Sequence, residues 1–318
     1  MPSTEPVQSE VQSTPTVLLT GATGYVGGRL IPLLEQQPLV LRCLARNPDK
    51  LRPLVKSSTE IVRGDVLDPP SLEVALQGVQ TAYYLVHLMS GSADFEQEDR
   101  QAAKNFADAA KRSNVQRIIY LGGLGDDADP KLSPHLRSRH EVGEVLRESG
   151  IETIEFRAGM VIGDGSLSYQ LMKSLTDRLP IMICPRWLTT PTQPIAIQDV
   201  LDYLLAAKDL PKVESRIFEI GSPDVVSYGD LIREYARQQG LRRWLIFVPV
   251  LTPYLSGLWL ALVTPSSFEV GRHLIEGLKN PTVVRASNAL EVFPSRPVGV
   301  AEAIRLAIKE SKSPHEGS

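Results

Sequence analysis

Cysteine is almost missing from this chain. Of its 318 residues only Cys43 and Cys184 carry a thiol, too few for a disulfide framework. Both sit in or beside apolar runs and read as buried thiols in a reducing, cytoplasmic setting. An excess of charge of one sign is missing as well. With 34 basic against 37 acidic side chains the formal charge is -3, which gives no field to gather a polyanion and argues against nucleic acid as a partner. No group of His, Cys, Asp and Glu stands at metal-ligand spacing, and no Gly-x-Ser-x-Gly elbow joins a strand to a helix. The start, Met1–Pro15, has no basic segment leading into an apolar core, so a secretory signal is not expected there. Its Ser, Thr, Pro, Gln and Glu content predicts a disordered tail over residues 1–14, and the polar end, residues 309–318, predicts a second.

Long uncharged runs are scarce, with one exception. Trp244–Pro265 has no charged side chain, and its length approaches the roughly 20 residues of a membrane span. Pro249 and Pro253 interrupt it, and no basic cluster flanks one side. A buried apolar lobe over a cleft explains this composition; membrane-surface contact through residues 244–265, or a lipophilic substrate, is the alternative. Tyr169, Met172 and Trp187 are expected to pack into the lobe.

What is present, from Thr16 onward, is an alternation of short β-branched runs with longer amphipathic segments. That rhythm predicts an α/β fold, a Rossmann-type doubly wound parallel sheet with a smaller, mostly helical C-terminal substrate lobe. The expected strands are Thr16–Thr20, Val40–Leu44, Glu60–Arg63, Thr81–Val86, Arg117–Leu121, Glu152–Phe156 and Arg216–Ile220. Helices are expected over Gly24–Glu35, Pro70–Leu76, Phe95–Arg112 and Pro134–Glu148, the last closed by Gly150 in a left-handed conformation. The organisation that follows is a nucleotide-binding core over residues 15–165, a substrate-lobe insertion over 166–193, a return to the sheet over 194–221 and an apolar lobe over 222–308.

The first strand runs into Gly21-Ala22-Thr23-Gly24-Tyr25-Val26-Gly27 and then into a helix. In that context the first glycine permits a tight turn, the second lets backbone approach a pyrophosphate, and the third lets helix and strand pack closely. The helix start adds free N–H groups and partial positive charge for the anion. A nicotinamide dinucleotide is therefore expected over Gly21, Thr23, Gly24, Tyr25, Val26 and Gly27. The second strand ends Leu44-Ala45-Arg46-Asn47-Pro48, with no carboxylate to grip a ribose 2′-OH and with Arg46 suited to a 2′-phosphate. NADP(H) is thus favoured over NAD(H). Asp65 is a candidate partner for the adenine amino group, with capping of its own turn as the alternative. Ligands of α/β sheets lie at the C-terminal strand ends, which adds Val66, Leu85, Val86, His87, Gly122, Ala158 and Gly159 to the expected cofactor wall.

The glycine spacing, the Gly64-Asp65 turn and the Phe156-Arg157-Ala158-Gly159 run resemble the atypical and extended short-chain dehydrogenase/reductases over nearly the whole chain. The likeness is to the branch with NmrA-like proteins, the nucleotide-binding accessory subunit of respiratory complex I, and bacterial NAD(P)H-binding proteins. The resemblance implies a seven-stranded sheet, a cofactor across its C-terminal edge and a small-molecule substrate in the later lobe. It also implies a serine after the fifth strand and a Tyr-xxx-Lys pair on the next helix. Here glycine stands at the serine position, in Tyr120-Leu121-Gly122-Gly123, while His135 and Arg139 stand at the tyrosine and lysine positions. His135 is a candidate replacement acid with Ser138 one helical step away, and Arg139 a candidate for the nicotinamide ribose. The opposing expectation is that His135 is a surface residue without a partner and that no proton relay survives. The first functional expectation is an NADP(H)-dependent oxidoreductase on a small or lipophilic carbonyl-type substrate. A non-catalytic dinucleotide-binding module for redox sensing or assembly is the alternative, and a sugar-nucleotide epimerase or dehydratase comes third because those enzymes need the missing tyrosine.

Overall fold

In the computed structural model, which describes residues 14–88, 94–212, 214–248 and 278–312, all seven expected strands join one sheet. They are β1 (Thr16–Leu19), β2 (Val40–Ala45), β3 (Glu60–Arg63), β4 (Thr81–Tyr84), β5 (Arg117–Gly123), β6 (Glu152–Ala158) and β7 (Arg216–Ile220). Every pairing is parallel and the order is β7-β6-β5-β4-β1-β2-β3. Helices cover both faces, so side chains bury alternately to either side. Val17 and Leu19 pack with helices α1 (Tyr25–Leu34) and α6 (Ile197–Ala207). Leu18, between them, packs on the other side with α2 (Pro69–Leu76), α3 (Phe95–Arg112) and α4 (Pro134–Glu148). Gly150 closes α4 at φ +80°, in the conformation that favours glycine.

Five strand ends differ from the expected ones; β1 stops one residue earlier, at Leu19, and β2 runs one further, to Ala45. β5 and β6 run two residues further, because Gly122 pairs with Arg157 and Gly123 with Ala158 where no side chain interrupts the ladder. β4 stops at Tyr84 instead of Val86: the Leu85 amide donates to Thr20 Oγ1 at 3.2 Å, leaving the ladder.

A third apolar core lies under the lobe, where α5 (Leu167–Arg178) meets α7 (Tyr228–Gln238) and α8 (Val300–Lys312). Tyr169 and Met172 are buried there and Trp187 packs against them. The expected second tail is corrected in its first residues. α8 runs to Lys312 because Ile304, Ala307 and Ile308 are buried in this core, and Glu310 pairs with Arg29 of α1 at 2.8 Å. Of the uncharged run, Trp244–Val248 forms a strand parallel to Ile181–Pro185; residues 249–265 lie outside the described ones. The expectation of burial is corrected for this strand: Trp244 is 70% and Ile246 51% exposed, since only one face of a two-stranded sheet reaches the core. Cys43 and Cys184 are free and buried. Among the described residues no helix is long and apolar enough to cross a membrane.

Candidate functional site

The chain turns from β1 to β2 on one side and places β4 on the other, so a crevice opens at the C-terminal ends of β1 and β4. The glycine loop fills its base. Gly21 has φ +71°, and a Cβ there would lie 2.4 Å from the Leu85 carbonyl oxygen. Gly24 donates its amide to the Gly21 carbonyl at 2.9 Å and starts α1 with no side-chain cap and no acid in the first turn. The helix therefore opens toward the crevice with amides available for an anion. Gly27 packs on the turn itself: a Cβ would lie 2.2 Å from the Gly21 carbonyl oxygen.

Two cavities flank this loop. The smaller, about 200 Å³, is lined by Gly21, Thr23, Gly24, Arg46, Asp65, Val66, Leu85, Val86 and His87. Arg46 is exposed at its rim. Asp65 uses Oδ1 to accept the Leu67 amide at 3.0 Å, capping its own turn while still facing the cavity. The larger, about 330 Å³, is lined by Tyr25, Val26, His87, Gly122, His135, Arg139, Ala158 and Gly159, with Met160, Ser166, Tyr228 and Thr282 toward the lobe. His87 stands on the wall common to both. The cavities together take in every expected site residue except Gly27, which packs the loop from behind, and Ser138, which is buried.

The expectation that His135 has no partner is corrected. His135 Nδ1 lies 3.1 Å from His87 Nε2, and His87 Nδ1 lies 2.9 Å from Asp99 Oδ2. Spacing along the chain hides the contact, because α4 brings His135 to a residue 48 positions earlier. Ser138 does not face the cavity; its hydroxyl donates to Asp99 Oδ2 at 2.9 Å, and the Leu88 amide donates to Oδ1 at 2.9 Å. Burial pushes the His87 imidazole below its ordinary range, with Asp99 opposing and Arg139 adding to the shift. Burial alone would raise the Asp99 carboxyl, yet hydrogen bonds from His87, Leu88 and Ser138 hold it below its ordinary range. At neutral pH this leaves a carboxylate beside a neutral imidazole.

Asp99 is absent from the sequence reading, although a signal existed. It falls on the apolar stripe of α3 with Phe95, Ala102, Ala103 and Phe106, where a carboxylate is buried only with partners. Tyr228 and Thr282 were also missed. The Tyr228 phenol is raised by burial and hydrogen-bonds to Thr192 and Thr282, a meeting of distant segments with no local pattern.

At the serine position a Cβ on Gly123 would lie 2.8 Å from Leu136 Cδ2, the far end of a flexible side chain that can turn aside. The Arg139 guanidinium contacts the Leu121 carbonyl and lies 5.2 Å from the Tyr120 ring centre. It is thus aimed at the end of β5, beside the cavity it lines.

Residues 21–180 match a family model described as NAD(P)H-binding. The photosystem II assembly factor Ycf39 of Cyanophora paradoxa is 26% identical, over 86% of this chain and 82% of that one. Ceramide reductase of Caulobacter vibrioides is 25% identical, over 80% and 82% respectively. Among solved structures, the Citrobacter sp. triphenylmethane reductase complexed with NADP(H) superposes with a TM-score of 0.73 at 16% identity, covering 92% of this chain and 99% of that one. That likeness is one of fold.

Proposed function

The chain belongs to the NAD(P)H-binding family, and from that premise we propose that it is an NADP(H)-dependent reductase of a small or lipophilic carbonyl compound. The observation that carries this reading is the pair of cavities meeting at His87 across the open start of α1. The smaller cavity suits the adenosine half of the dinucleotide and the larger the nicotinamide together with a substrate. Gly21, Thr23, Gly24, Tyr25 and Val26 line the path between them, where amides can meet the pyrophosphate. When bound, the reduced nicotinamide supplies a hydride to the carbonyl carbon. Leu121, Leu124, Leu136, Met160 and Val161 give the larger cavity an apolar wall suited to a lipophilic substrate, and its size fits a small molecule or one end of a longer one. Ceramide reductase and triphenylmethane reductase, among the relatives, carry reduction of lipophilic molecules in their names.

Preference for NADP(H) rests on Arg46, exposed at the rim where no carboxylate stands between Leu44 and Pro48. Arg46→Ala is expected to weaken NADPH binding about 10- to 100-fold, the worth of a charge-assisted phosphate contact, and NADH binding by less than about twofold. Fluorescence titration of both nucleotides reads this directly; equal losses would remove the 2′-phosphate role.

A second reading, a dinucleotide-binding module without turnover, draws support from the glycine at the serine position and the histidine at the tyrosine position. One assay separates the two. Full-length protein with NADPH and a panel of aldehydes, ketones and quinones is expected to consume NADPH with at least one of them. Tight NADPH binding without consumption across the panel would overturn the reductase reading in favour of the module.

A further inference from the structure

We infer that Asp99, His87 and His135 form a relay of hydrogen bonds, in which Asp99 and His87 hold His135 so that it delivers a proton to the substrate oxygen. The inference rests on the reductase reading and supplies the acid that the missing tyrosine leaves open.

The argument runs through donor and acceptor counting. Asp99 Oδ1 accepts from the Leu88 amide, and Oδ2 accepts from the Ser138 hydroxyl at 2.9 Å. A carboxylate has no proton to offer, so His87 must present Nδ1–H to Oδ2 across their 2.9 Å contact. A neutral His87 then has only a lone pair on Nε2. That lone pair faces His135 Nδ1 at 3.1 Å, so His135 must donate from Nδ1. Any second proton that His135 carries is therefore on Nε2, and His135 lines the larger cavity.

The delivery step balances. The carbonyl carbon gains the hydride and its π pair moves to oxygen. The oxygen takes the proton from His135 Nε2, whose N–H pair stays on the ring. His135 is left neutral, still donating Nδ1–H to His87, and a proton from water restores it. NADPH is oxidised, the carbonyl becomes an alcohol, and one proton is consumed.

Charges from each packed element bear on the relay. α3 contributes the Asp99 carboxylate, which accepts from His87. α4 contributes Arg139, whose positive charge acts on His87 in the opposite sense. β4 contributes Tyr84, a phenol that burial keeps protonated and uncharged. Asp99 and His87 are positioning residues in this scheme, and Ser138 steadies Asp99.

The test uses the full-length chain with NADPH and benzaldehyde. His87→Ala and His135→Ala are each expected to lower kcat about 100-fold or more, a loss larger than any they cause in NADPH affinity, which titration reads separately. The double variant should be no worse than the poorer single one, because the two act as a unit. His87→Gln places an amide oxygen where it can accept from His135 Nδ1 and should recover part of the loss. A readout independent of turnover is histidine proton–nitrogen NMR of the NADP+ complex, expected to find His87 protonated at Nδ1. Turnover that ignores His87→Ala, or a His87 ring protonated only at Nε2, would overturn the relay and leave the reductase reading standing. No turnover of benzaldehyde or any other panel member, with His87 in the expected tautomer, would instead sink the reductase reading and the delivery step with it.

Discussion

Replacing Gly27 by alanine is expected to abolish dinucleotide binding, raising the NADPH Kd at least about 100-fold, whereas the same change at the adjoining Gly28 leaves it within about twofold. The added Cβ at Gly27 would sit 2.2 Å from the Gly21 carbonyl oxygen and 2.8 Å from its carbon, both backbone atoms of the turn. Backbone cannot swing aside as a flexible side chain can, so α1 must move off β1 or the turn must open. Overpacking of this kind costs about 1–3 kcal/mol of stability. The larger effect is on binding, because the turn's amides lose their common aim and preorganised donors work only when aligned. At Gly28 the nearest atom would be the Ala22 carbonyl oxygen at 3.5 Å, an ordinary contact. Alanine there also gains up to about 1 kcal/mol of helix propensity. Nucleotide titration of both variants decides the matter: wild-type affinity in Gly27→Ala would show that the turn does not hold the cofactor.

Glu155→Ala should lower the unfolding free energy by about 3–5 kcal/mol, as expected for breaking a buried ion pair from one side. Glu155 is wholly buried on β6. One oxygen accepts from Arg157 Nε at 2.7 Å and the other meets the Arg147 guanidinium of α4. Arg157 is itself buried and reaches Asp127 at 2.8 Å. Removing the carboxylate takes from the Arg147 and Arg157 guanidinium groups the buried partner they share, and leaves Arg157 only the largely exposed Asp127. The exposed pair of Glu302 and Arg305 is the contrast: Glu302→Ala should leave the urea midpoint unchanged, since water replaces the partner. If Glu155→Ala unfolds at the wild-type midpoint, the network carries no stability.

Much of the core was legible because it is local. Each sheet strand is a short apolar run between a turn and an amphipathic helix, and the glycine triplet identifies its loop by position alone. Errors gathered at the ends of elements, where long-range contacts decide. β4 ends early because Thr20, on β1, takes the Leu85 amide. Lys309–Lys312 look like tail in isolation, yet the preceding turn is buried and Glu310 finds Arg29. The site was legible in outline, as a row of strand ends, and illegible in its chemistry. His135 seemed to lack a partner because hydrogen-bond partners need no fixed separation along a chain, and Asp99 looked like one more acid on a charged helix.

The sequence by itself determined the parallel sheet, the glycine turn and the family, since hydrophobic period and glycine spacing are properties of neighbouring residues. Only the tertiary structure decided that Asp99, His87 and His135 stand in line and that Ser138 turns away from the cavity to Asp99. Both depend on how closely α3 and α4 settle against the sheet, which is a matter of packing summed over the whole core.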